Sequence, residues 1–221
     1  MSILNLNLEE AIANARKNST KRNFKQSFEL IINLKDLDLE KPESRIYEIV
    51  ELPNGLSNKK RKICVIASGD LALKASKTNG IDKVFQKSDI EAIIGNKKMA
   101  RKIAESYDFF LVESSLIGIV AKALGAALGG RGKRPIPISA NQDLEELVSK
   151  YSKSVILNTR KNPEIKCIIG TEDMSDKEIK ENAEAIIKHL ISKLEKEMRN
   201  IKSIYIKLTM GKPVKLNLGA R

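Results

Sequence analysis

Phe24-Lys25-Gln26-Ser27-Phe28-Glu29-Leu30-Ile31-Ile32-Asn33-Leu34 alternates over most of its length between large apolar and polar residues. Phe24, Phe28, Leu30, Ile32 and Leu34 share the apolar side, and Lys25, Ser27, Glu29 and Asn33 the polar side. A period of two is the signature of a strand with one face on a core and one in water. Near the other end of the chain, Ser203 to Thr209 repeats the pattern, with Ile204, Ile206 and Leu208 alternating with Ser203, Tyr205, Lys207 and Thr209. If these two strands are neighbours, their polar residues form one open surface, although solvated positions of an ordinary antiparallel sheet have the same periodicity.

Working outward, Asn7 to Thr20 opens with Asn7 and Glu10 at capping-box spacing and puts Leu8, Ala11, Ile12 and Ala15 on one helical face. Arg45 to Leu52 reads as a strand ended by the turn Pro53-Asn54-Gly55. Towards the C-terminus, Val155 to Leu157 and Ile165 to Ile169 read as strands. Ser175-Asp176-Lys177-Glu178 is a capping box for a long helix with the stripe Ile179, Ala183, Ile186, Ile187, Leu190, Ile191, Leu194 and Met198. Neither terminal segment can cover its own apolar faces, whereas together they build a helix-covered sheet.

Between them the pattern changes. Ile63 to Ala67, a helix through Leu71-Ala72-Leu73, Val84-Phe85, helical Lys98 to Ser106, Phe109 to Glu113 and a helix from Leu116 to Ala127 alternate strand with helix, which implies a small parallel sheet covered on both faces. The basic run Asn58 to Lys62 suits an exposed linker. The expected fold class is therefore α/β with two domains. A split α+β sandwich domain is built from residues 1-59 and 154-221, and a Rossmann-like βαβ domain, residues 60-153, is inserted into it. Linkers near residues 59 and 153 suggest hinge motion between the two.

Forty Lys+Arg against 28 Asp+Glu give a formal charge of +12, which makes phosphate-bearing partners the first candidates and acidic proteins or membrane surfaces the second. Residues 60 to 153 hold 17 basic and 10 acidic residues, leaving 23 and 18 in the terminal segments, so charge alone does not single out one domain. No stretch approaches the roughly 20 apolar residues of a membrane span, and Met1 to Glu10 lacks the order of a signal peptide, so a cytoplasmic protein is expected. Cys64 and Cys167 lie in separate apolar runs and read as buried thiols. His189 is the sole histidine and falls on the polar side of the long helix, leaving no metal set or triad; neither metal nor cofactor is expected.

The competing enzymatic reading rests on Gly125, Gly129, Gly130, Gly132 and Lys133, a glycine-rich loop that a nucleotide-dependent enzyme could use. Its spacing fails. A phosphate loop needs G-x-x-x-x-G-K-[ST] after a strand, whereas Ala127 stands at the first Gly, Arg134 replaces the hydroxyl residue, and a helix precedes the loop. A third reading is a protein-binding module whose basic insert meets acidic partners.

Thr209-Met210-Gly211, Phe24 to Leu30, the order of elements and Leu128-Gly129-Gly130-Arg131-Gly132-Lys133-Arg134-Pro135 together give the chain its resemblance to the family of large-subunit ribosomal protein one, the mobile-stalk protein. The resemblance covers nearly the whole chain and leans towards archaeal members. It implies a structural ribosomal protein, not an enzyme, whose split domain grips large-subunit ribosomal RNA at the base of the mobile stalk near the tRNA exit site. It also implies repression of translation through a similar structure in the protein's own mRNA, and a monomer outside the ribosome. The matching RNA-binding positions are Phe24, Ser27, Glu29, Ser203, Thr209, Met210 and Gly211. Charge and strand parity add Lys25, Lys166 and Lys207.

Hydroxyls and backbone amides can bond phosphate and 2′-OH groups, while a flat aromatic or thioether surface can lie on ribose. Glu29 would either accept from a ribose hydroxyl or base amine, or orient a neighbouring lysine. The sequence departs from the family where Lys212 separates Gly211 from Pro213, and where Gly130 and Arg134 replace the family's Pro and Met. Lys212, Arg131, Lys133 and Arg134 are accordingly secondary RNA contacts or hinge residues.

Overall fold

A computed structural model describes residues 7–41, 44–57, 59–160 and 162–218. The chain divides into two compact units, residues 1–59 with 153–221, and residues 60–152.

The first unit is organised by an antiparallel sheet of four strands in the order β10-β9-β1-β8, formed by β1 (Ser27–Leu34), β8 (Glu164–Thr171), β9 (Ile201–Leu208) and β10 (Val214–Lys215). β1 and β9 are neighbours, pairing Glu29 with Lys207, Leu30 with Ile206, Ile31 with Tyr205 and Asn33 with Ser203. This register keeps Phe28, Leu30, Ile32, Ile204, Ile206 and Leu208 on one buried face, as a period of two requires. On that face lie α1 (Leu8–Lys17) and α7 (Asp176–Lys193), which contribute Leu8, Ala11, Ile12, Ala15, Ile179, Ala183, Ile186, Ile187 and Leu190 to a shared core.

Phe24 does not belong to this face. The strand begins at Ser27, and Phe24 stands in the preceding loop with 51% of its surface exposed. Gln26, 1% exposed, keeps the inward parity, and the alternation breaks at Ser27, which is buried as well. The Asn7–Glu10 pair also differs from a backbone capping box: the Asn7 amide donates to the Glu10 carboxylate, and no side-chain cap bonds the helix. Arg16 ties α1 to the start of α7 and the segment before it, with Nε on Asp176 Oδ1 (2.7 Å), Nη1 on the Glu172 carbonyl (2.7 Å) and its guanidinium 4.9 Å from the centre of the Phe28 ring.

Ser175 caps α7 as a full capping box with Glu178, and the helix stops at Lys193, so Leu194 and Met198 of the expected stripe lie beyond its end. One polar residue, Asn182, sits within the apolar stripe and is fully buried. It is satisfied: Oδ1 accepts the Asn54 N–H (3.0 Å), and Nδ2 donates to the carbonyls of Gly55 (2.9 Å) and Ile169 (2.8 Å). Those bonds fasten the turn after β2 (Tyr47–Glu51), where Gly55 has φ +59°, to the helix. β2 pairs with β7 (Ser154–Asn158) in a two-stranded antiparallel sheet.

The second unit is a parallel sheet in the order β4-β3-β5-β6, from β3 (Ile63–Ile66), β4 (Lys83–Phe85), β5 (Phe109–Glu113) and β6 (Pro135–Ile138). Its helices are α2 (Gly69–Lys77), α3 (Lys87–Ile93), α4 (Lys97–Ser106), α5 (Ile117–Gly129) and α6 (Leu144–Ser152). Every residue of β3 is buried, as expected of a central strand covered on both faces. The sequence reading passed over β6, whose Pro135 and Pro137 are tolerated because it is an edge strand. It passed over α3 and α6 as well.

Candidate nucleic-acid interface

The face of the four-stranded sheet opposite the core carries Ser203, Tyr205 and Lys207 of β9, Glu29, Ile31 and Asn33 of β1, and Glu164, Lys166 and Ile168 of β8, aligned by register. No helix is needed to satisfy these residues, because they bond one another. Asn33 Nδ2 donates to Ser203 Oγ (2.9 Å), Lys207 Nζ lies 3.8 Å from the Glu29 carboxylate, and Lys166 pairs with Glu164 at 2.9 Å. Ser203, although on the polar parity, is buried by its neighbours. Ile31 and Ile168, half-buried, add an apolar centre that polarity-based reading does not assign to a binding face.

At one end of this face the strands run into the Thr209-Met210-Gly211 turn. Thr209 extends the ladder through both backbone and side chain: its N–H donates to the Ser27 carbonyl (3.0 Å), and its hydroxyl accepts the Ser27 N–H (3.1 Å) and donates back to the Ser27 carbonyl (3.2 Å). Ser27 is itself buried, and its hydroxyl accepts from Lys59 Nζ at 3.0 Å. The Met210 N–H donates to Gln26 Oε1 (3.1 Å), while Gln26 Nε2 reaches Ser19 Oγ (3.1 Å) and the Thr20 carbonyl (3.2 Å). The Gly211 N–H closes the turn on the Leu208 carbonyl at 2.8 Å, and a Cβ at Gly211 would come within 3.3 Å of Ser19 Cβ.

The result is a rigid loop that holds a thioether in water. Met210 is 56% exposed and Phe24, two residues before Gln26, is 51% exposed, whereas the other large apolar side chains among the described residues of this unit are buried or half-buried. Across the sheet, Thr171 pairs with Ser27, and its buried Oγ1 is without a hydrogen-bond partner among the described residues.

Lys25 is exposed and pairs with Asp173 at 2.7 Å. With Lys166 and Lys207 also beside carboxylates, this face is close to electrically balanced. It offers directed donors and acceptors more than a bare positive field. Gln26 and Lys59 were missed in the sequence; nothing in the polarity of Gln26 marks it as the buried anchor of a turn far along the chain. Lys212 is exposed after the turn.

The glycine-rich loop of the second unit is not a phosphate cradle. Lys133 Nζ is spent on the carbonyls of Ala104 (2.8 Å) and Tyr107 (2.5 Å) at the end of α4, and burial pulls its ammonium pKa down. Arg131 bonds Glu105 and the Ala127 carbonyl. Both side chains, expected as secondary RNA contacts or hinge residues, therefore serve the fold of the loop, and Arg134 in the same loop is engaged too.

The crevice at the C-terminal ends of β3 and β5, where open α/β sheets bind ligands, is taken by Glu113. It accepts from the Ser115 hydroxyl (2.6 Å) and from the Ser68 N–H and hydroxyl (2.8 Å each), and those bonds hold its carboxyl below the usual range. A carboxylate thus stands at the start of α2, where a nucleotide phosphate would have to sit. His189 is not a free polar-face residue either: its Nε2 meets Glu48 at 3.1 Å. Among the described residues no cluster of metal-ligating side chains occurs.

Residues 15–212 match the model of the ribosomal protein L1p/L10e family. The chain belongs to this family. Its L1-family relatives include the large ribosomal subunit protein uL1 of Methanothermococcus thermolithotrophicus, 46% identical over 95% of this chain and 97% of the relative. The proteins of the same name from Hyperthermus butylicus and Methanocaldococcus jannaschii are 41% and 42% identical, covering 96% and 95% of this chain and 96% and 94% of theirs. All three sources are archaea, in keeping with the archaeal leaning of the L1-family motifs.

Proposed function

We propose that this protein is a structural, non-enzymatic component of the large ribosomal subunit in the cytoplasm, and that it binds ribosomal RNA at the base of the mobile stalk through the polar sheet face of its first unit. The observation that carries the reading is the Thr209-Met210-Gly211 turn: a buried Gln26 and a threonine hydroxyl fix an exposed methionine beside a row of serine, asparagine, lysine and glutamate side chains.

Phosphate contacts position an RNA, and contacts to ribose hydroxyls and splayed bases specify it. Lys25, Lys166, Lys207 and Lys212 suit the first role. Thr209, the Gly211 backbone and Glu29 suit the second, with Phe24 and Met210 lying flat against ribose, while the buried Ser203 holds Asn33 in place. Ser27 acts from beneath, since it is buried and holds Thr209. Glu29 and Lys207, 3.8 Å apart, orient each other, which keeps one carboxylate oxygen free to accept from a 2′-OH. Leaving the buried Thr171 hydroxyl unbonded costs about 1–3 kcal/mol, a cost that a ligand reaching it would remove.

The same face would serve a similar fold in the protein's own mRNA, and so repress its translation. In the ribosome the protein would stand beside tRNA leaving the exit site, and away from it would be a monomer. Competition tests the shared face. Stalk-base RNA and the messenger leader should displace each other from the protein one for one; simultaneous binding of both would mean two separate sites and end the repression reading.

A further inference from the structure

The second unit, residues 60–152, carries six of the chain's twelve surplus positive charges, yet its glycine-rich loop spends Arg131 and Lys133 internally. The surplus is concentrated elsewhere. Between Glu91 and Glu105 the chain holds four cations, Lys97, Lys98, Arg101 and Lys102, and no carboxylate. All four lie on α4 and are exposed, whereas the opposite side of the helix buries Ala100, Ile103 and Ala104 in the core of the unit. None of the four makes an ion pair among the described residues. The one acidic residue on the helix, Glu105, is taken by Arg131.

The arrangement is unfavourable for the protein alone. Lys97 with Arg101 and Lys98 with Lys102 are like-charge pairs at i,i+4 spacing, and Lys98 with Arg101 is one at i,i+3, all of which weaken a helix. Two lysines and no acidic residue occupy the first turn, where the helix dipole favours negative charge. A solvated helical face in this sequence is elsewhere mixed in sign: Lys87 faces Glu91 on α3, and Lys188 faces Glu184 on α7. On α4 the complement to the charge is missing among the described residues.

We propose that the outer face of α4, formed by Lys97, Lys98, Arg101 and Lys102, is a second RNA-contacting surface that binds the phosphate backbone without regard to sequence. It rests on the reading that the protein binds RNA, and adds to the sheet face a contact that supplies attraction where the sheet face supplies selectivity. An anionic membrane is the poorer occupant. A helix that lies in a membrane surface needs a broad exposed apolar side, whereas the apolar side of α4 is already buried and only Met99 and the nearby Ile94 are exposed. Lysine and arginine rows without an aromatic partner or bonded carboxylates suit backbone phosphate, where each neutralised charge releases a counterion.

The test is the full-length triple variant K98Q/R101Q/K102Q, measured against wild type for binding to a transcript of the stalk-base ribosomal RNA and to a scrambled transcript of equal length, each across a salt series. The slope of log affinity against log salt should become shallower by roughly 2–3 for both transcripts, since each lost phosphate contact removes about 0.7–0.9 from it. The ratio of the two affinities should stay unchanged, and the melting temperature should hold or rise as like-charge repulsion is relieved.

An unchanged slope in the folded variant overturns the proposal, while a retained preference for the stalk-base transcript would leave the sheet-face reading standing. Loss of slope in a wild-type protein that shows no such preference would do the reverse, keeping α4 as an RNA contact and sinking the sheet-face reading. Binding of wild type to phosphatidylserine vesicles that the variant loses, with RNA binding unaltered, would assign α4 to membranes and overturn the RNA proposal.

Discussion

Replacing Gln26 with methionine keeps the length and volume of the side chain but removes both ends of its amide. Three bonds are lost: Met210 N–H to Oε1 (3.1 Å), and Nε2 to Ser19 Oγ (3.1 Å) and to the Thr20 carbonyl (3.2 Å). A buried group deprived of its partner costs about 1–3 kcal/mol, and water can reach the half-exposed Met210, so a total of about 2–3 kcal/mol is expected. For a chain of this size that lowers the melting temperature by roughly 4–12 °C.

The effect on RNA follows from the same bonds. With its anchor gone, the Thr209-Met210-Gly211 turn must be ordered at the moment of binding, and a cost of about 1.4 kcal/mol weakens affinity for the stalk-base RNA about tenfold. Scrambled RNA, held by charge, should bind as before. Circular dichroism melts and filter binding at one fixed salt concentration read both effects. A variant that melts within about 1 °C of wild type and keeps its RNA preference would refute the assignment of Gln26 as the anchor.

Asn182→Leu should cost about 3 kcal/mol or more, read in a urea titration, because Asn54 N–H and two carbonyls lose their buried partner at once. Gly80→Ala should destabilise the second unit by about 1–3 kcal/mol, since Gly80 has φ +90° and a Cβ would meet Val148 Cγ1 at 2.7 Å; limited proteolysis of that unit checks it. Glu48 is raised by burial but lowered more by His189 and Lys193, ending below its ordinary value. A depressed carboxylate adds stability above its unfolded pKa of about 4.3 and loses it as pH falls through the folded one, so wild type should lose more melting temperature than Glu48→Gln between about pH 5 and pH 3. Lys133→Ala should lower the melting temperature of the second unit while leaving nucleotide binding absent before and after, because Lys133 serves the end of α4.

The alternating strands were legible because burial on one face enforces a period of two: β1 and β9 could be seen as strands from Leu30-x-Ile32 and Ile204-x-Ile206, while their pairing, left conditional in the sequence, is given by the register. The Ser175 cap was legible for a similar reason, being a contact between near neighbours. What escaped was set by long-range contact. Gln26 reads as an ordinary polar strand residue until Met210, far along the chain, is brought to it, and Asn182 reads as a defect in an apolar stripe until the Gly55 turn supplies its partners. Parity put Phe24 on the apolar side of the strand, because no local signal tells where β1 begins, and only the family resemblance marked it as an RNA-binding position. Lys133 was expected as a secondary RNA contact or hinge residue, although the carbonyls it satisfies are those of a helix whose end the sequence does not place beside it. Polarity and charge name the residue types of a binding face; only the register tells which of them remain available.

The central claim is that recognition resides in the turn at the end of the sheet face. Thr209→Ala and Met210→Ala, compared with wild type at fixed salt for binding to stalk-base ribosomal RNA and to a scrambled RNA of equal length, test it most directly. The account predicts that both variants fold as wild type does by circular dichroism and lose affinity for the stalk-base RNA alone. Equal affinity of all three proteins for that RNA would contradict it, and would leave the sheet face a solvated surface.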